Sequence, residues 1–243
     1  MVFASVIILA HKLDDVFKEC LLKINHQSTN DYEVIVVSDN SDSVEKYVRN
    51  THPDFVVLNT HYEGVGIAKG RNLGGSQAKG KLLIYLDSDC LCEDNHVQTY
   101  IDAYEPECLL AGGIDYWDED FNEIFHKDKR LPFQNISSKT MWRFEHIWSI
   151  NAFGDFHTGN CGVDKQSWES IGGFNEELKD YNHEDIYFSL EHCIHYGRLK
   201  FVNNVVKHRG LSSGYDNINY NYELFKELVF QNYPEQFYLV ENL

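Results

Sequence analysis

The chain has 243 residues, 43% of them hydrophobic and 14% aromatic, a composition that excludes a disordered chain and suffices for a sizeable core. Its 21 Lys and Arg stand against 38 Asp and Glu, which gives a formal net charge of −17. Because so acidic a surface repels phosphate backbones, we expect no nucleic-acid partner.

The first residues, 1–15, read as a strand and lack the basic start and long apolar stretch of a signal peptide. No stretch approaches the roughly 20 apolar residues of a membrane-spanning helix. We therefore expect a cytoplasmic protein without a transmembrane segment, with peripheral attachment to a membrane as the other option. Cys90 and Cys92 have no second pair at zinc-site spacing, so a zinc site is not supported. Because no export signal is recognised, we expect reduced thiols.

Strand and helix patterns alternate over the first ninety residues. Short apolar or β-branched runs predict strands, and amphipathic or glycine-broken segments between them predict helices. Such alternation implies crossover connections and a mostly parallel sheet with helices on both faces. The predicted strands are 3–9, 33–38, 54–59 and 81–86, and the predicted helices are 14–26, 43–50 and 66–80.

The second half of the chain is harder to interpret. Residues 93–155 are acidic and aromatic and show no clear element. Beyond them the pattern predicts a strand near 159–163, a short helix at 165–171, a glycine turn, a helix at 184–196, a strand within 200–210 and a helix near 221–231.

Ligands of open parallel sheets bind beyond the carboxyl ends of the strands. Asp87 and Asp89 follow the fourth predicted strand, and two carboxylates at this spacing suit Mg²⁺ or Mn²⁺, which would offset the repulsion of a phosphorylated ligand. The alternative is a polar turn without a ligand. The other strand ends place Ala10-His11, Asp39-Asn40 and the turn after Asn59 at the same edge.

The segment "NHED" at 182–185 opens a predicted helix and allows two interpretations. Asn182 and Asp185 are close to a capping box, and Glu184 in the first turn suits the helix dipole. Alternatively, Asp185 is a general base and Glu184 holds the incoming nucleophile.

Five segments resemble, in order and spacing, the GT-A glycosyltransferases, in particular family 2 and relatives with a galactosyltransferase-like C-terminal half. These are "SVIILAHK", "IVVSDNSDS", "GVGIAKGRNLGGSQAKGKLLIYLDSDC", "TGNCGVDKQSWESIGGFNEEL" and "HEDIYFSLE". The resemblance implies an α/β, Rossmann-like GT-A fold. It implies a single domain over 1–243, with a nucleotide-sugar-binding half at 1–92 and an acceptor-binding and catalytic half at 93–243.

The resemblance also implies a metal-dependent, inverting enzyme that moves a hexosyl group from a UDP-sugar to an acceptor hydroxyl, in the synthesis of a surface polysaccharide or glycoconjugate. The implied cofactor is Mn²⁺ or Mg²⁺, and the acceptor is a saccharide, a lipid-linked sugar or a peptide. The alternative is a non-catalytic nucleotide- or glycan-binding module on the same fold. A sugar-1-phosphate nucleotidyltransferase is disfavoured because "LAHKLDD" has no glycine.

The site residues follow from the same resemblance. Asp185 matches the general base, with Glu184 beside it. The predicted metal ligands are Asp87, Asp89 and His208, although a histidine after a strand can be merely structural. The predicted donor-binding residues are His11 stacking on uracil, Asp39 on the base, Arg71 on ribose, diphosphate or the acids, and Asp87 with Ser88 near the ribose.

Three aromatic residues are candidates for an apolar platform under an acceptor sugar, with a place in the core as the alternative. They are Trp142, Trp148 and Phe156.

Overall fold

The computed structural model describes residues 2–61, 66–117, 156–179, 183–209 and 218–240. The strands in these ranges form one mixed sheet in the order β3-β2-β1-β4-β7-β6-β8-β5. They are β1 (Ala4–Ala10), β2 (Tyr32–Ser38), β3 (Val56–Asn59), β4 (Leu82–Asp87), β5 (Cys90–Leu91), β6 (Leu109–Trp117), β7 (Asn160–Asp164) and β8 (Leu199–Arg209).

Helices alternate with the strands of the first half and lie between and after the strands of the second half. They are α1 (Asp15–Asn25), α2 (Asp42–Thr51), α3 (Ile67–Gln77), α4 (His96–Ala103), α5 (Lys165–Ser170), α6 (Glu184–Tyr196) and α7 (Ile218–Asn232), with a 3₁₀ helix at Pro234–Leu239. Asp14 caps α1 by accepting the amide of Phe17 at 2.9 Å.

The predicted α/β architecture is confirmed in the first half. β1 pairs in parallel with β2 on one side and β4 on the other, and β2 pairs in parallel with β3. The four predicted strands agree with the observed ones to within two residues. Long apolar runs are readable because strands covered on both faces carry no polar alternation.

Apolar side chains of alternate strand residues divide between two cores, one on each face of the sheet. Val6 and Ile8 of β1 pack in the core that contains α1, α2 and α4. Ile7, between them, packs in the core that contains α3, α5, α6 and α7. The predicted covering of both faces by helices is thereby confirmed.

The second half continues the same sheet with reversed strand directions. β7 pairs antiparallel with β4 and with β6, whereas β6 and β8 are parallel. The sheet therefore crosses the boundary predicted at residue 92. Sequence patterns did not reveal α4, β5 or β6, because a two-residue strand and the glycine-containing β6 carry little periodicity.

Asn160 fills an irregularity between β6 and β8, where the register shifts between Ala111 and Gly113. Its amide donates to the carbonyls of Gly113 and Asn204, each at 2.7 Å, and its side-chain oxygen accepts from Tyr100 at 2.8 Å. A buried amide with every partner satisfied fixes the strands locally. Asn160 therefore has a structural role between these strands.

Gly80 provides a test of this packing. A Cβ at Gly80 would lie 2.6 Å from the carbonyl carbon of Ala4 and 2.7 Å from the amide nitrogen of Ser5. Because backbone cannot yield as a side chain can, we expect Gly80→Ala to lower the free energy of unfolding by about 1–3 kcal/mol. Urea denaturation measures this loss. Gln77→Ala, an exposed change at the end of α3, should change it by less than about 0.5 kcal/mol.

Candidate active site

The carboxyl ends of the parallel strands bring three of the predicted donor-binding positions to one edge. The amide of Asp39 donates to the carbonyl of Ala10 at 2.9 Å, so Asp39 lies beside the end of β1. Its carboxylate accepts from the hydroxyl of Thr60, which follows β3, at 3.0 Å. Asp87 lies on the other side of β1, in register with Leu9. His11 is exposed at the end of β1.

Asp87 is held in place by two segments that are distant in sequence. Its Oδ1 accepts from Nη2 of Arg71 at 3.1 Å, and its amide donates to the carbonyl of Gly159 at 3.2 Å. A Cβ at Gly159 would lie 3.0 Å from Oδ2 of Asp87. Glycine at this position therefore leaves room for the carboxylate.

Arg71 connects the two predicted acidic motifs. It is 7% exposed on α3, and its Nη1 lies 2.5 Å from Oε1 of Glu184 while its Nη2 binds Asp87. Burial raises the pKa of Glu184 to about 7, the Asp185 carboxylate adds to the rise, and Arg71 opposes it. The other oxygen of Glu184 has no hydrogen-bond partner among the described residues. Of the contacts predicted for Arg71, the structure shows the one with an acid of the DxD segment, Asp87.

The start of α6 does not have the register of the capping box. His183 is the N-cap residue, with a left-handed backbone (φ 74°) and no side-chain capping hydrogen bond. Asp185 accepts from the adjacent amide of Ile186 at 2.8 Å. Asn182, the cap in that interpretation, lies outside the described residues. With His183 as the N-cap, Asp185 is the second residue of the helix and not the third, as a capping box would require.

Asp185 lies beside a histidine, His157, that belongs to none of the predicted motifs. Its Oδ2 is 3.7 Å from Nδ1 of His157, and its side chain is 15% exposed. Burial alone would raise the pKa of Asp185, but His157, Arg71 and the amide of Ile186 together lower it below its ordinary value. Asp185 is therefore ionised at neutral pH, the state that a general base needs.

Asp89 and His208 come together through the pairing of β5 with β8. Cys90 is directly opposite His208 in this antiparallel pair, and Oδ1 of Asp89 lies 3.4 Å from Nε2 of His208. Single ligand atoms of Asp89, Cys90 and His208 all lie within 4.8 Å of one another. Asp87 is not a member of this group, and its Oδ1 binds Arg71.

The residues present fit a divalent metal. A carboxylate and an imidazole at 3.4 Å need only small movements to share one ion, and this oxygen and nitrogen pair suits Mn²⁺. Asp89 is 42% exposed, so a ligand from solvent can reach it. Cys90 is fully buried, which raises the pKa of its thiol well above the ordinary value.

The structure changes the prediction that aromatic rings form a platform under the acceptor sugar. Phe156 is fully buried and packs against Phe188, with ring centroids 5.9 Å apart. The platform interpretation of Phe156 is therefore wrong, because a core ring presents no face to a sugar. Trp142 and Trp148 lie outside the described residues.

Ser88, predicted to lie near the ribose, is partly buried in the loop between the two acids Asp87 and Asp89.

Removal of Arg71 tests the buried bridge. We expect Arg71→Met to lower the free energy of unfolding by about 3–5 kcal/mol at about pH 8, because the buried Glu184 would lose its ion-pair partner. The loss should be larger at about pH 8 than at about pH 5, since a carboxyl whose pKa is raised in the folded state costs stability as pH rises. Denaturation at both pH values measures it.

Two variants control this prediction. Arg71→Met combined with Glu184→Gln should recover much of the loss, because no buried charge stays unpaired. Arg49→Met removes an arginine that is 55% exposed and pairs with Glu45, and it should cost less than about 1 kcal/mol. A full loss in the double variant would show that packing by Arg71, and not the charge of Glu184, is responsible.

The architecture and the acidic edge define a class of protein. The structure superposes on that of GalNAc-T7 with UDP, GalNAc and Mn²⁺ with a TM-score of 0.71 and 15% identity, over 98% of this chain and 50% of that one. It superposes on TarS of S. aureus with a TM-score of 0.63 and 16% identity, over 94% of this chain and 40% of TarS. The predicted GT-A fold is confirmed.

The family model "Glycosyl transferase family 2" matches residues 5–168. The chain belongs to this family, which confirms the predicted enzyme class at the level of the family. The match contains the DSD segment and ends before α6.

Curated relatives carry the same class of name. An uncharacterized glycosyltransferase, YfnE, of Bacillus subtilis (strain 168) is 35% identical over 141 residues, 56% of this chain and 36% of YfnE. The glucosyl-dolichyl phosphate glucuronosyltransferase of Haloferax volcanii is 25% identical over 115 residues, 45% of this chain and 37% of that protein. The chain thus spans little more than a third of either relative. Among the described helices, none has the length and apolar character to cross a membrane.

Proposed function

We propose that this chain is a metal-dependent, inverting glycosyltransferase that moves a hexosyl group from a UDP-sugar to an acceptor hydroxyl. One observation carries the proposal: a single buried guanidinium binds both Asp87, beside the candidate metal ligands, and Glu184, beside the candidate base. This shared contact supports the proposal that the two acidic motifs are parts of one site. Two turns without a common function would have no need to share one buried guanidinium.

The donor would lie across the ends of β1, β2 and β4, the edge at which open sheets of this kind bind nucleotides. We assign Asp39 to the uracil and Asp87 with Ser88 to the ribose. His11 is exposed at this edge and is free of the core, which suits stacking on the base. The UDP in the GalNAc-T7 structure is consistent with a uridine donor.

The metal would be held by Asp89 and His208. Arg71 occupies Oδ1 of Asp87, so we assign Asp87 to the donor and leave the direct ligands to the other two. When bound, Mn²⁺ or Mg²⁺ supplies positive charge beside the leaving diphosphate. The Mn²⁺ in the GalNAc-T7 structure supports this choice of cofactor.

Asp185 would remove the proton from the acceptor hydroxyl. The acceptor oxygen then forms a bond to the anomeric carbon from the face opposite the diphosphate, and the bond from that carbon to the β-phosphate oxygen breaks. The electron pair leaves with UDP, and one displacement inverts the anomeric centre. We assign Glu184 to positioning, since it is 3% exposed and is held by Arg71; its burial leaves little access for a nucleophile.

In this proposal residues 1–243 form a single domain. The acceptor is a saccharide, a lipid-linked sugar or a peptide. The name of the H. volcanii relative, a glucosyl-dolichyl phosphate glucuronosyltransferase, favours a lipid-linked sugar. A non-catalytic binding module is the alternative, and a pure binder has no use for an ionised carboxylate placed as a base.

A UDP-release assay tests the proposal. The chain is incubated with each of a set of UDP-hexoses and a mixture of saccharide acceptors, with Mn²⁺ or with excess chelator. We expect one donor to give UDP release that depends on the metal. Calorimetry with UDP, with and without Mn²⁺, is run in parallel. Metal-dependent UDP binding without release from any donor would favour the binding module instead.

A further inference from the structure

We propose that His157 is a positioning residue, which holds the Asp185 carboxylate in the orientation that receives the acceptor proton. This inference rests on the proposed function, since it needs Asp185 to be the base. His157 belongs to no sequence motif, and its role follows from its position 3.7 Å from the Asp185 carboxylate.

The two oxygens of Asp185 have different neighbours. Oδ1 accepts the amide of Ile186 at 2.8 Å, a contact within the same turn of α6. Oδ2 faces Nδ1 of His157 at 3.7 Å, from the segment that leads into β7. Catalytic hydrogen bonds are often long before substrate binds and then tighten. If the imidazole closes on Oδ2 when the acceptor binds, contacts from two separate elements fix the rotation of the carboxylate, which one local amide does not.

The segment around His157 is itself well anchored. Phe156 on one side is fully buried, and Thr158 on the other is 2% exposed. The carbonyl of His157 accepts the amide of Asn160 at 3.2 Å, and that of Gly159 accepts the amide of Asp87. The imidazole is therefore presented to Asp185 by a backbone that is joined to β4.

Several other charged or titratable groups surround this pair. Arg71 acts on Asp185 from α3, and Glu184 precedes it on α6. Cys161 of β7 also interacts with Asp185 and with Asp87 of β4. These groups are present in the wild type and in all the His157 variants, so the variants differ from one another only at position 157.

His183, the N-cap residue of α6, packs on the rings of Tyr222 and Phe225, and its ring centroid lies 5.5 Å from each of theirs. It too is unchanged in the variants. A difference between their pH profiles therefore reports on the contact of His157 with Asp185.

The predicted effect has a definite sign. His157 lowers the pKa of Asp185, so its removal should raise that pKa. More of the base is then protonated at low pH, and the acidic limb of kcat should move to higher pH. Misplacement of the carboxylate should also lower kcat by about 10- to 100-fold, with binding of UDP unchanged.

The experiment compares replacements of His157 by Ala, Asn and Gln with the wild type. Asn carries its amide nitrogen where His has Nδ1, and Gln carries it nearer the position of Nε2. We measure kcat and KM against pH, and UDP binding by calorimetry. His157→Asn should stay close to the wild-type kcat, while His157→Ala and His157→Gln should lose it. His195→Ala, an exposed change on the last turn of α6, is the control.

The outcomes separate this inference from the proposed function. A wild-type kcat and unmoved acidic limb in His157→Ala overturn the inference, as does an equal kcat in the Asn and Gln variants. The Asn and Gln comparison decides the matter if the Ala variant fails to fold. If Asp185→Asn is as active as the wild type, the base assignment itself fails, whatever His157 does.

Discussion

Asp185→Asn should bind UDP as the wild type does and should fail to transfer the sugar. The amide keeps the shape of the carboxylate and its contact with the amide of Ile186, but it cannot accept the acceptor proton. General base catalysis is worth about 10²- to 10⁴-fold, so we expect kcat to fall by that factor. Calorimetry with UDP and a UDP-release assay measure the two properties separately.

Asp42→Asn is a matched control for this variant. Asp42 is an exposed acid in the first turn of α2, as Asp185 is in the first turn of α6, so both changes remove a charge that favours the helix dipole. Asp42→Asn should leave transfer unchanged. Transfer by Asp185→Asn near the wild-type rate would mean that this acid serves only the start of its helix.

Asp89→Ala should abolish metal-dependent turnover. The variant loses the carboxylate that lies 3.4 Å from His208, and one imidazole is a weak site for Mn²⁺. The charge on the leaving diphosphate is then not offset, and this loss corresponds to several kcal/mol, or about 100-fold or more in kcat. Titration with Mn²⁺ in the presence of UDP should show the loss of binding directly.

Asp94→Ala is the control, since Asp94 is an exposed acid in the loop after β5. It should bind Mn²⁺ as the wild type does. Excess chelator should give the wild type the low activity of Asp89→Ala. Full activity of the variant, or of the wild type in chelator, would remove the metal from the mechanism.

The first half of the fold was predictable because its signals are local. Four apolar runs separated by helical patterns specify a parallel sheet, and each run can be read without knowledge of its partners. α6 was predicted with its observed bounds, 184–196, for the same reason. β7 and β8 also match strands predicted near 159–163 and within 200–210. β5 and β6 were missed, because β5 is two residues long and β6 is irregular around Gly112 and Gly113, where Asn160 inserts.

The candidate site was predictable in part. Asp87 and Asp89 follow a readable strand, and Asp39 follows another, so the edge of the sheet at which they lie was implied by the topology. His157 was not predicted, since nothing in its local sequence separates it from an ordinary loop histidine. For Phe156 the sequence left both a platform and a place in the core open, because a buried and an exposed aromatic ring look alike in sequence.

The sequence by itself determined the class of fold, its family and the acidic residues available for chemistry, because these depend on local periodicity and on motifs a few residues long. Only the tertiary structure decided which of them meet. Arg71 reaches across 113 positions to Glu184, and the pairing of β5 with β8 sets His208 beside Asp89. Such contacts depend on strand order and register, which arise from the packing of the whole sheet and leave no trace in any short segment.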